Sequence, residues 1–362
     1  MSKKNHEILI VGGGPAGIST WLHLNKYNPE IASKCVLIEK KKYPRDKLCG
    51  GAVGGWSENV LKNLRIKLDI PHIWVNQVEF HYKNEIYNLK QSKYFRMVNR
   101  AEFDNSLAKS AKDRGLIIHE EEEFQNFSKT NDGLRIVTNK DKYEVKVLIG
   151  ADGALSNIAK KVNVTYGPKL APTIEIFTPV NNVDKEFEEK KAIFNFNPIK
   201  EGLQGYVWHF PCLKDNKPFM NHGIVNFRVH KNKKCDMKTI FSEELDKRGI
   251  QYNTNQWLGH PIKWYSDSHK ISAPNILLIG DAAGIESATG GGIHLALSYG
   301  EIAAKTIIES YEMDDFLFKT YKKRFEGHIA GKFIKKLNFL ASEMYNETIS
   351  PIKAMNEIFK RK

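Results

Sequence analysis

The fold of this chain is decided by its first strand and turn, Glu7-Ile8-Leu9-Ile10-Val11-Gly12-Gly13-Gly14-Pro15-Ala16-Gly17. A short apolar run leads directly into a glycine-rich turn, and a helix is expected from about residue 16 to 26. Apolar runs without alternation are typical of strands buried in a parallel sheet. A second apolar run at residues 35–39 completes a β-α-β opening. The pattern therefore predicts an α/β protein with a Rossmann-like domain.

The glycine turn matches the pattern G-x-G-x-x-G in the context that gives it meaning, between a strand and a helix. Gly12 permits the tight turn, Gly14 lets the backbone approach a pyrophosphate, and Gly17 allows the helix to pack closely on the strand. The helix start at Pro15 and Ala16 presents N–H groups and a positive dipole to phosphates. Glu39 lies 22 residues after Gly17, where a carboxylate accepts hydrogen bonds from a ribose hydroxyl. These residues predict a dinucleotide site.

Two later apolar strands also end in turns of small residues. One turn is Gly150-Ala151-Asp152-Gly153-Ala154-Leu155-Ser156, and the other is Gly280-Asp281-Ala282-Ala283-Gly284. Thr289-Gly290-Gly291-Gly292-Ile293-His294 then opens a further helix. Its N–H groups could lie against an electron-rich ring, and Asp281 could accept a hydrogen bond from a sugar-alcohol hydroxyl. These additional turns favour FAD over NAD.

The character of the sequence changes near residue 168, where short aromatic strands begin, and changes back near residue 265. This middle segment predicts an antiparallel sheet that faces the substrate. We predict an FAD-binding domain at residues 1–75, 95–165 and 270–312. An interleaved substrate-binding β-sheet domain is predicted at residues 76–94 and 166–269, with a C-terminal helical region at residues 313–362.

Together, the glycine turn, Glu39, Arg100, Asp152-Gly153 and the turn at residues 280–284 resemble the para-hydroxybenzoate-hydroxylase-like flavoproteins. Within that group the chain most resembles the geranylgeranyl reductase family, over residues 7 to about 310. The segments that indicate this family are residues 43–51, 206–211 and 289–293. The resemblance implies an FAD-dependent oxidoreductase that reduces C=C bonds of a prenyl-type apolar substrate by hydride transfer from reduced flavin.

The resemblance also implies a role for individual residues. The implied FAD contacts are spread along the chain: Gly12, Gly14, Pro15, Ala16, Gly17, Glu39, Lys47, Cys49, Gly50, Gly51, Arg100, Phe124, Asp152, Gly153, Asp281, Gly291, Gly292 and Ile293. The catalytic candidates are Cys49, Tyr206, Trp208 and His294, and His209 is a further candidate proton donor. Asp152 also has a purely structural alternative. The chain departs from the family at residues 285–288, Ile-Glu-Ser-Ala, where a proline is usual.

An aromatic strand is predicted to line the substrate slot. Tyr206, Trp208 and Phe210 alternate with Val207 and His209, so they project to one face. The alternative is that this face is ordinary core. Cys49 is the favoured proton donor because the glycines after it could bring it close to the flavin ring.

The net charge of +13 favours an anionic partner. Residues 319–362 contain 11 Lys or Arg against 4 Glu, and no nucleic-acid-binding motif accompanies them. The expected partners are therefore an apolar or lipid substrate and a membrane surface, and not nucleic acid. A helix near residues 330–344 is amphipathic, which suits packing on the body or contact with anionic lipid. The oligomeric state is left open.

The chain contains no apolar run long enough for a transmembrane helix, and its N-terminus leaves no room for a secretory signal. We expect a cytoplasmic protein, at the inner face of the membrane where it contacts lipid. The four cysteines have no metal-site spacing, so no metal is expected. A second G-x-G-x-x-G is missing, so the electron donor is expected to be transiently bound NAD(P)H, a ferredoxin or a flavodoxin.

Two other functions remain open from the sequence. One is a flavin monooxygenase of the aromatic hydroxylase or halogenase type, although the Trp-x-Trp-x-Ile-Pro signature of halogenases is missing. The other is a non-catalytic flavin-binding protein associated with a membrane.

Overall fold

The computed structural model of the protein describes residues 6–162, 170–287 and 289–359. The strands in these residues form three sheets. The first sheet contains β1 (Ile8–Val11), β2 (Cys35–Glu39), β6 (Ile117–Glu120), β10 (Val147–Gly150), β16 (Ser272–Ala273) and β17 (Ile276–Leu278). The second contains β3 (Ala52–Gly54), β4 (His72–Tyr82), β5 (Glu85–Val98), β11 (Leu170–Pro179), β12 (Lys191–Asn195), β13 (Gly205–Lys214), β14 (Lys217–Asn226) and β15 (Leu258–Lys263). The third contains β7 (Phe124–Thr130), β8 (Gly133–Thr138) and β9 (Lys142–Val145).

Helices fill the space around these sheets. The α-helices of the described residues are α1 (Pro15–Tyr27), α2 (Pro29–Ser33), α3 (Gly55–Asn63), α4 (Arg100–Lys112), α5 (Asn157–Lys161), α6 (Lys185–Glu188), α7 (Met237–Lys247), α8 (Gly292–Met313), α9 (Tyr321–Gly327), α10 (Ile329–Tyr345) and α11 (Pro351–Phe359). Short 3-10 turns occupy Asn197–Glu201, Thr254–Gln256 and Gly280–Ala282.

The first sheet has the strand order β16-β17-β10-β1-β2-β6, and β1 pairs in parallel with both β2 and β10. Its central strand is buried on both faces, which explains the apolar run without alternation. Because β1, β2, β10 and β17 run in the same direction, their carboxyl ends meet at one edge of the sheet. The glycine turn, Glu39, Asp152 and Asp281 follow these strands, so they all lie at that edge. The predicted α/β fold is confirmed.

Helices α1 and α8 cross in close contact beneath this edge. A Cβ atom built on Gly300 of α8 would stand 2.4 Å from Oγ of Ser19 and 2.6 Å from the backbone nitrogen of Thr20. The hydroxyl of Ser19 also donates to the carbonyl of Leu297 over 2.6 Å. This backbone-to-backbone approach fixes the start of α8 relative to the start of α1.

The second sheet has the order β15-β11-β14-β13-β12-β4-β5-β3 and is antiparallel apart from the β4–β12 pair. Its strands β4 and β5 form one long antiparallel hairpin that spans residues 72–98. The predicted domain limits at residues 75–76 and 94–95 therefore fall inside β4 and β5. The limit at residues 165–166 lies outside the described residues, and the domain division as a whole stays a prediction.

The C-terminal helices cover part of the aromatic face of the second sheet. Tyr345 of α10 stacks on Phe227 with ring centroids 6.3 Å apart, and Phe359 of α11 lies 5.4 Å from Phe80. The predicted apolar stripe of α10 is buried, including Ile334, and packs against the body. In the part of the chain that is described, no helix has the length and apolar character needed to cross a bilayer.

Replacement of Gly300 by alanine should destabilise the protein by about 1–3 kcal/mol, since the new methyl group would meet backbone atoms of Ser19 and Thr20 as well as the Ser19 hydroxyl, and backbone atoms cannot easily move aside. The measurement is the free energy of unfolding in urea. Gly327→Ala is the matched control, because no atom lies within 4 Å of its built Cβ, and its effect should stay within ~0.5 kcal/mol. Equal effects of the two changes would contradict the packing described for α1 and α8.

Candidate functional site

The glycines of the first turn differ in their surroundings: protein atoms lie close to some of them, and others have open space. Gly12 has a φ of +108°, and its built Cβ would stand 2.3 Å from the carbonyl oxygen of Ala151. A Cβ built on Gly17 would stand 2.1 Å from the carbonyl oxygen of Gly12. Gly14 has space, since the nearest atom to its built Cβ is a guanidinium nitrogen of Arg45 at 3.8 Å. Packing of the protein therefore explains Gly12 and Gly17, while the open space at Gly14 suits the close approach of a ligand.

The start of α1 is open to an anion. No side chain caps its first turn, no acidic residue lies in that turn, and Pro15 occupies the first helical position. The N–H of Gly13 is used by the Oε2 atom of Glu39 at 2.9 Å. Uncapped N–H groups and the helix dipole at this end attract phosphate groups. The predicted role of this turn in binding a pyrophosphate is consistent with this geometry.

Four buried charges extend from Glu39 along the edge of the sheet. The Nε atom of Arg45 lies 3.2 Å from Oε2 of Glu39, and its Nη1 lies 3.0 Å from Oδ2 of Asp104. Arg100 donates to both oxygens of Asp104 at 2.8 and 3.0 Å. Burial opposes the charge of Arg100, but the attraction of Asp104 prevails and raises its pKa. No sequence motif indicated a role for Arg45 or Asp104, although Asp104 lies four residues after Arg100 on α4, a spacing at which side chains of a helix meet.

Asp281 lies close to the glycine turn. A Cβ built on Gly280 would stand 2.8 Å from Cβ of Ala16, so the 3-10 turn that contains Asp281 abuts the start of α1. Facing Asp281 are Lys47 and His260, whose side-chain nitrogens are in contact. Burial and the neighbouring ammonium group lower the pKa of His260 to about 4. His260 reaches this position because β15 pairs with β11. No sequence motif indicated it.

The loop at residues 47–51 lies on the aromatic face of the second sheet. A Cβ built on Gly50 would stand 3.0 Å from the ring of Phe210 and 3.9 Å from Nε1 of Trp208. The Sγ atom of Cys49 accepts the N–H of Gly51 at 3.4 Å, and Arg100 also interacts with Cys49. The loop therefore brings Cys49, the buried arginine and the aromatic strand together. Their chemical roles stay predictions.

A network of polar side chains fixes the position of the Trp208 ring. Its Nε1 donates to Oδ1 of Asn221 at 2.5 Å, and Asn221 donates to Oε2 of Glu175 at 3.1 Å. The ring lies over Gly223, where a built Cβ would stand 2.0 Å from Cζ2. Burial raises the pKa of Glu175. These partners come from two neighbouring strands, so their contact with Trp208 depends on strand register, which the sequence does not show.

His209 lies on the opposite face of the same sheet, because successive residues of a strand point to opposite sides. Its Nδ1 is 2.8 Å from Nδ1 of His222, and its Nε2 is 3.6 Å from Glu244. Burial lowers the pKa of His209 well below its ordinary value. The proposed proton donor His209 is therefore not among the residues gathered around Cys49.

The second glycine turn leads into α8. His294, in its first turn, lies against Trp56 with ring centroids 5.1 Å apart, and burial lowers the pKa of His294 to about 4. The hydroxyl of Tyr206 stands 2.3 Å from a Cβ built on Gly290. The Oε2 atom of Glu286 stands 2.3 Å from a Cβ built on Gly292. Glu286 lies in the segment that departs from the family pattern, and no sequence motif indicated a role for it.

Two other predicted residues have clear structural surroundings. Asp152 accepts the hydroxyl of Ser156 at 2.5 Å and the N–H of Asn157 at 2.8 Å, so its carboxylate anchors the start of α5. Phe124 begins β7, and is 5% exposed. Nearby, the N–H of Glu122 donates to the carbonyl of Glu39 over 3.0 Å. The cofactor contacts expected of Asp152 and Phe124 stay predictions.

Comparison with known proteins agrees with this geometry. The model of the FAD binding domain family matches residues 5–326. Digeranylgeranylglycerophospholipid reductase 3 of Methanosphaera stadtmanae is 25% identical over 96% of this chain and 89% of its own. A geranylgeranyl bacteriochlorophyll reductase-like protein from Thermoplasma acidophilum has a TM-score of 0.73 at 20% identity, covering 98% and 96% of the two chains. The flavin-dependent halogenase CmlS has a TM-score of 0.71 at 19% identity, covering 97% and 69%.

These findings confirm the resemblance inferred from the sequence. The chain belongs to the FAD-binding domain family and is an FAD-dependent oxidoreductase of the geranylgeranyl-reductase-like type.

Proposed function

We propose that the protein reduces isolated C=C bonds in a prenyl or similar apolar chain. The observation that supports this most directly is the contact of the residue 47–51 loop with the aromatic face that contains Trp208 and Phe210. An apolar chain bound along this face would lie beside the loop expected to adjoin the flavin. The names of the related lipid reductases point to the same class of substrate.

FAD, when bound, supplies the hydride for such a reduction. Gly14 and the start of α1 would hold its pyrophosphate, Glu39 a ribose, and Asp281 the ribityl chain. An isolated alkene has no carbonyl to accept electron density, so a proton must reach the second carbon. The residues of this chain must therefore orient the alkene, exclude water and hold that proton near the aromatic face.

The second candidate function is oxygen activation. Its support is the fold shared with a flavin-dependent halogenase. The aromatic face would then hold an aromatic ring in place of an alkyl chain. The third alternative, a non-catalytic flavin-binding protein, fits less well with the relatives that are named as lipid reductases. For the reductase, we propose NAD(P)H or a ferredoxin as the electron donor.

We also propose that α10 rests on an anionic lipid surface from which the substrate is taken. The support is a face of α10 on which exposed apolar and basic side chains follow each other at helical spacing. Ile329 is 66% and Phe339 64% exposed, with exposed Lys332 and Lys336 between them. Apolar residues with lysines around them suit the boundary of a membrane.

Replacement of Gly14 by alanine should leave the fold intact and weaken FAD binding by about tenfold or more, which corresponds to at least ~1.4 kcal/mol. The reason is that the protein has room for the methyl group while the predicted pyrophosphate does not. The measurements are the dissociation constant of FAD by fluorescence quenching and the unfolding midpoint of the apoprotein. Unchanged FAD affinity would show that the cofactor does not approach this turn.

Anaerobically reduced enzyme should be reoxidised by a geranylgeranyl lipid, with a saturated product detected by mass spectrometry. When the reduced enzyme is mixed with oxygen alone, no long-lived absorbance of a C4a-hydroperoxide should build up. A stable hydroperoxide together with an unchanged alkene would favour the monooxygenase instead.

Phe339→Ser combined with Ile329→Ser should reduce binding to phosphatidylglycerol-containing vesicles about tenfold or more, because each change removes an exposed apolar side chain from the α10 face. Sedimentation with the vesicles measures the bound fraction. Ile86→Ser is the control, since Ile86 is 58% exposed on β5, outside this helix. An equal loss in the control, or no loss in the double variant, would contradict the proposal.

A further inference from the structure

We propose that Glu286 is the proton donor for the second alkene carbon, acting from the side of the glycine turn at residues 290–292. The inference rests on the reductase function proposed above and adds one residue to it. Neither the glycine motif nor the resemblance assigned a role to this side chain.

The position of Glu286 is fixed by its backbone. Its N–H donates to the carbonyl of Lys263 at 3.3 Å, and its carbonyl accepts the N–H of Tyr265 at 2.9 Å. It also forms a bridge with Trp264, so the residue is held against the end of β15. Glu286 is 6% exposed. A rigid and buried carboxyl group is suited to proton transfer at a defined point.

The carboxyl group lies directly against the turn expected beside the flavin ring. Its Oε1 accepts the N–H of Ser287 at 3.2 Å, and its Oε2 stands 2.3 Å from a Cβ built on Gly292. Tyr206 occupies the equivalent space at Gly290, two residues earlier in the turn. The side chains of Tyr206 and Glu286 therefore leave no room for a Cβ atom at residues 290 and 292, whether or not a cofactor is bound. Glu286 and Tyr206 bracket the turn from two different elements.

Several ionisable groups face Glu286. Asp281 of the 3-10 turn opposes its ionisation, while Lys47 of the loop before β3 favours it, as do the N–H groups of Ser287 and Gly292. Burial is the largest influence, and with Asp281 it raises the pKa of Glu286 to about 8. Tyr206 and His294 are the other neighbours along the turn, and burial keeps His294 neutral at pH 7. Glu286 therefore retains its proton at neutral pH, where an exposed glutamate would be ionised.

The proton and electron balance is simple. One alkene carbon receives the hydride from reduced FAD. The π electron pair forms the second C–H bond with the O–H proton of Glu286. The product contains two added hydrogens, FAD is left oxidised, and the carboxylate of Glu286 regains its proton from water. Because the acid form is required, the rate is high below pH 8 and falls as the pH rises through 8.

Two other buried groups, His294 and Glu175, fit this requirement less well. The low pKa of His294 leaves it a weak source of protons near pH 7. Glu175 is also a buried carboxyl group on the aromatic face, but its Oε2 accepts a hydrogen bond from Asn221 and so supports Trp208. Glu175 therefore provides a matched variant for the test.

The test compares Glu286→Gln, Glu175→Gln and Tyr206→Phe in the FAD-loaded protein. Enzyme reduced in advance is mixed with a geranylgeranyl lipid, and flavin reoxidation is followed from pH 6 to 10. We expect the wild type to lose about tenfold in rate per pH unit above 8. Glu286→Gln should be about 100-fold slower and lack this pH dependence. The other two variants should keep the alkaline decrease, and FAD content should be equal in all four proteins.

A second measurement needs no substrate. The infrared carboxylic-acid band of the wild type should disappear as the pH is raised through about 8, and Glu286→Gln should lack that band. If the band is missing in the wild type, or if Glu286→Gln reduces the alkene at the normal rate, the inference is overturned while the reductase function stands. If the band titrates as expected but no alkene is reduced by the wild type, the reductase function fails and the inference fails with it.

Discussion

The close contact between the first strand and the first helix is the constraint on which the rest of the structure depends. Gly17 packs on the carbonyl of Gly12. Gly12 in turn packs on the carbonyl of Ala151, which follows the neighbouring strand β10. Neither position has space for a side chain. This contact aims the uncapped start of α1 along the edge where the parallel strands end. The packing of Gly300 on Ser19 then places the start of α8 against the same edge. Two glycine-dependent contacts thus orient two helix ends towards the same edge of the sheet.

Buried charge at this edge is arranged in pairs. Glu39, Arg45, Asp104 and Arg100 form a continuous series in which every carboxylate faces a guanidinium. Isolated buried charges would be costly, and removal of one partner would leave the other uncompensated. Arg45 links Glu39, the residue predicted to bind a ribose, to the interior, close to the open space at Gly14. The same residues can therefore stabilise the fold and present a positive group to a phosphate.

Features encoded in short contiguous segments could be predicted from the sequence. The β-α-β opening, the two glycine turns and Glu39 each follow from local spacing, and the structure places them at one edge. Asn221 and Glu175 could not be predicted, because they meet Trp208 only through the register of β11, β13 and β14. The raised pKa of Glu286 could not be predicted either, since it depends on burial by residues far away in the chain. Sequence motifs thus indicated the cofactor more clearly than the groups that would act on a substrate.

The aromatic strand shows why core and site were hard to separate. Near Tyr345, the face that contains Tyr206 and Phe227 is covered by the C-terminal helices and is ordinary core. Further along the same strand, Trp208 and Phe210 meet the glycine loop at Gly50. The stripe is therefore core at the end near Tyr345, while the substrate slot expected at Trp208 and Phe210 stays a prediction. Since α10 and α11 cover the first end, the apolar chain of the proposed substrate would be bound at the second end, beside the loop at residues 47–51.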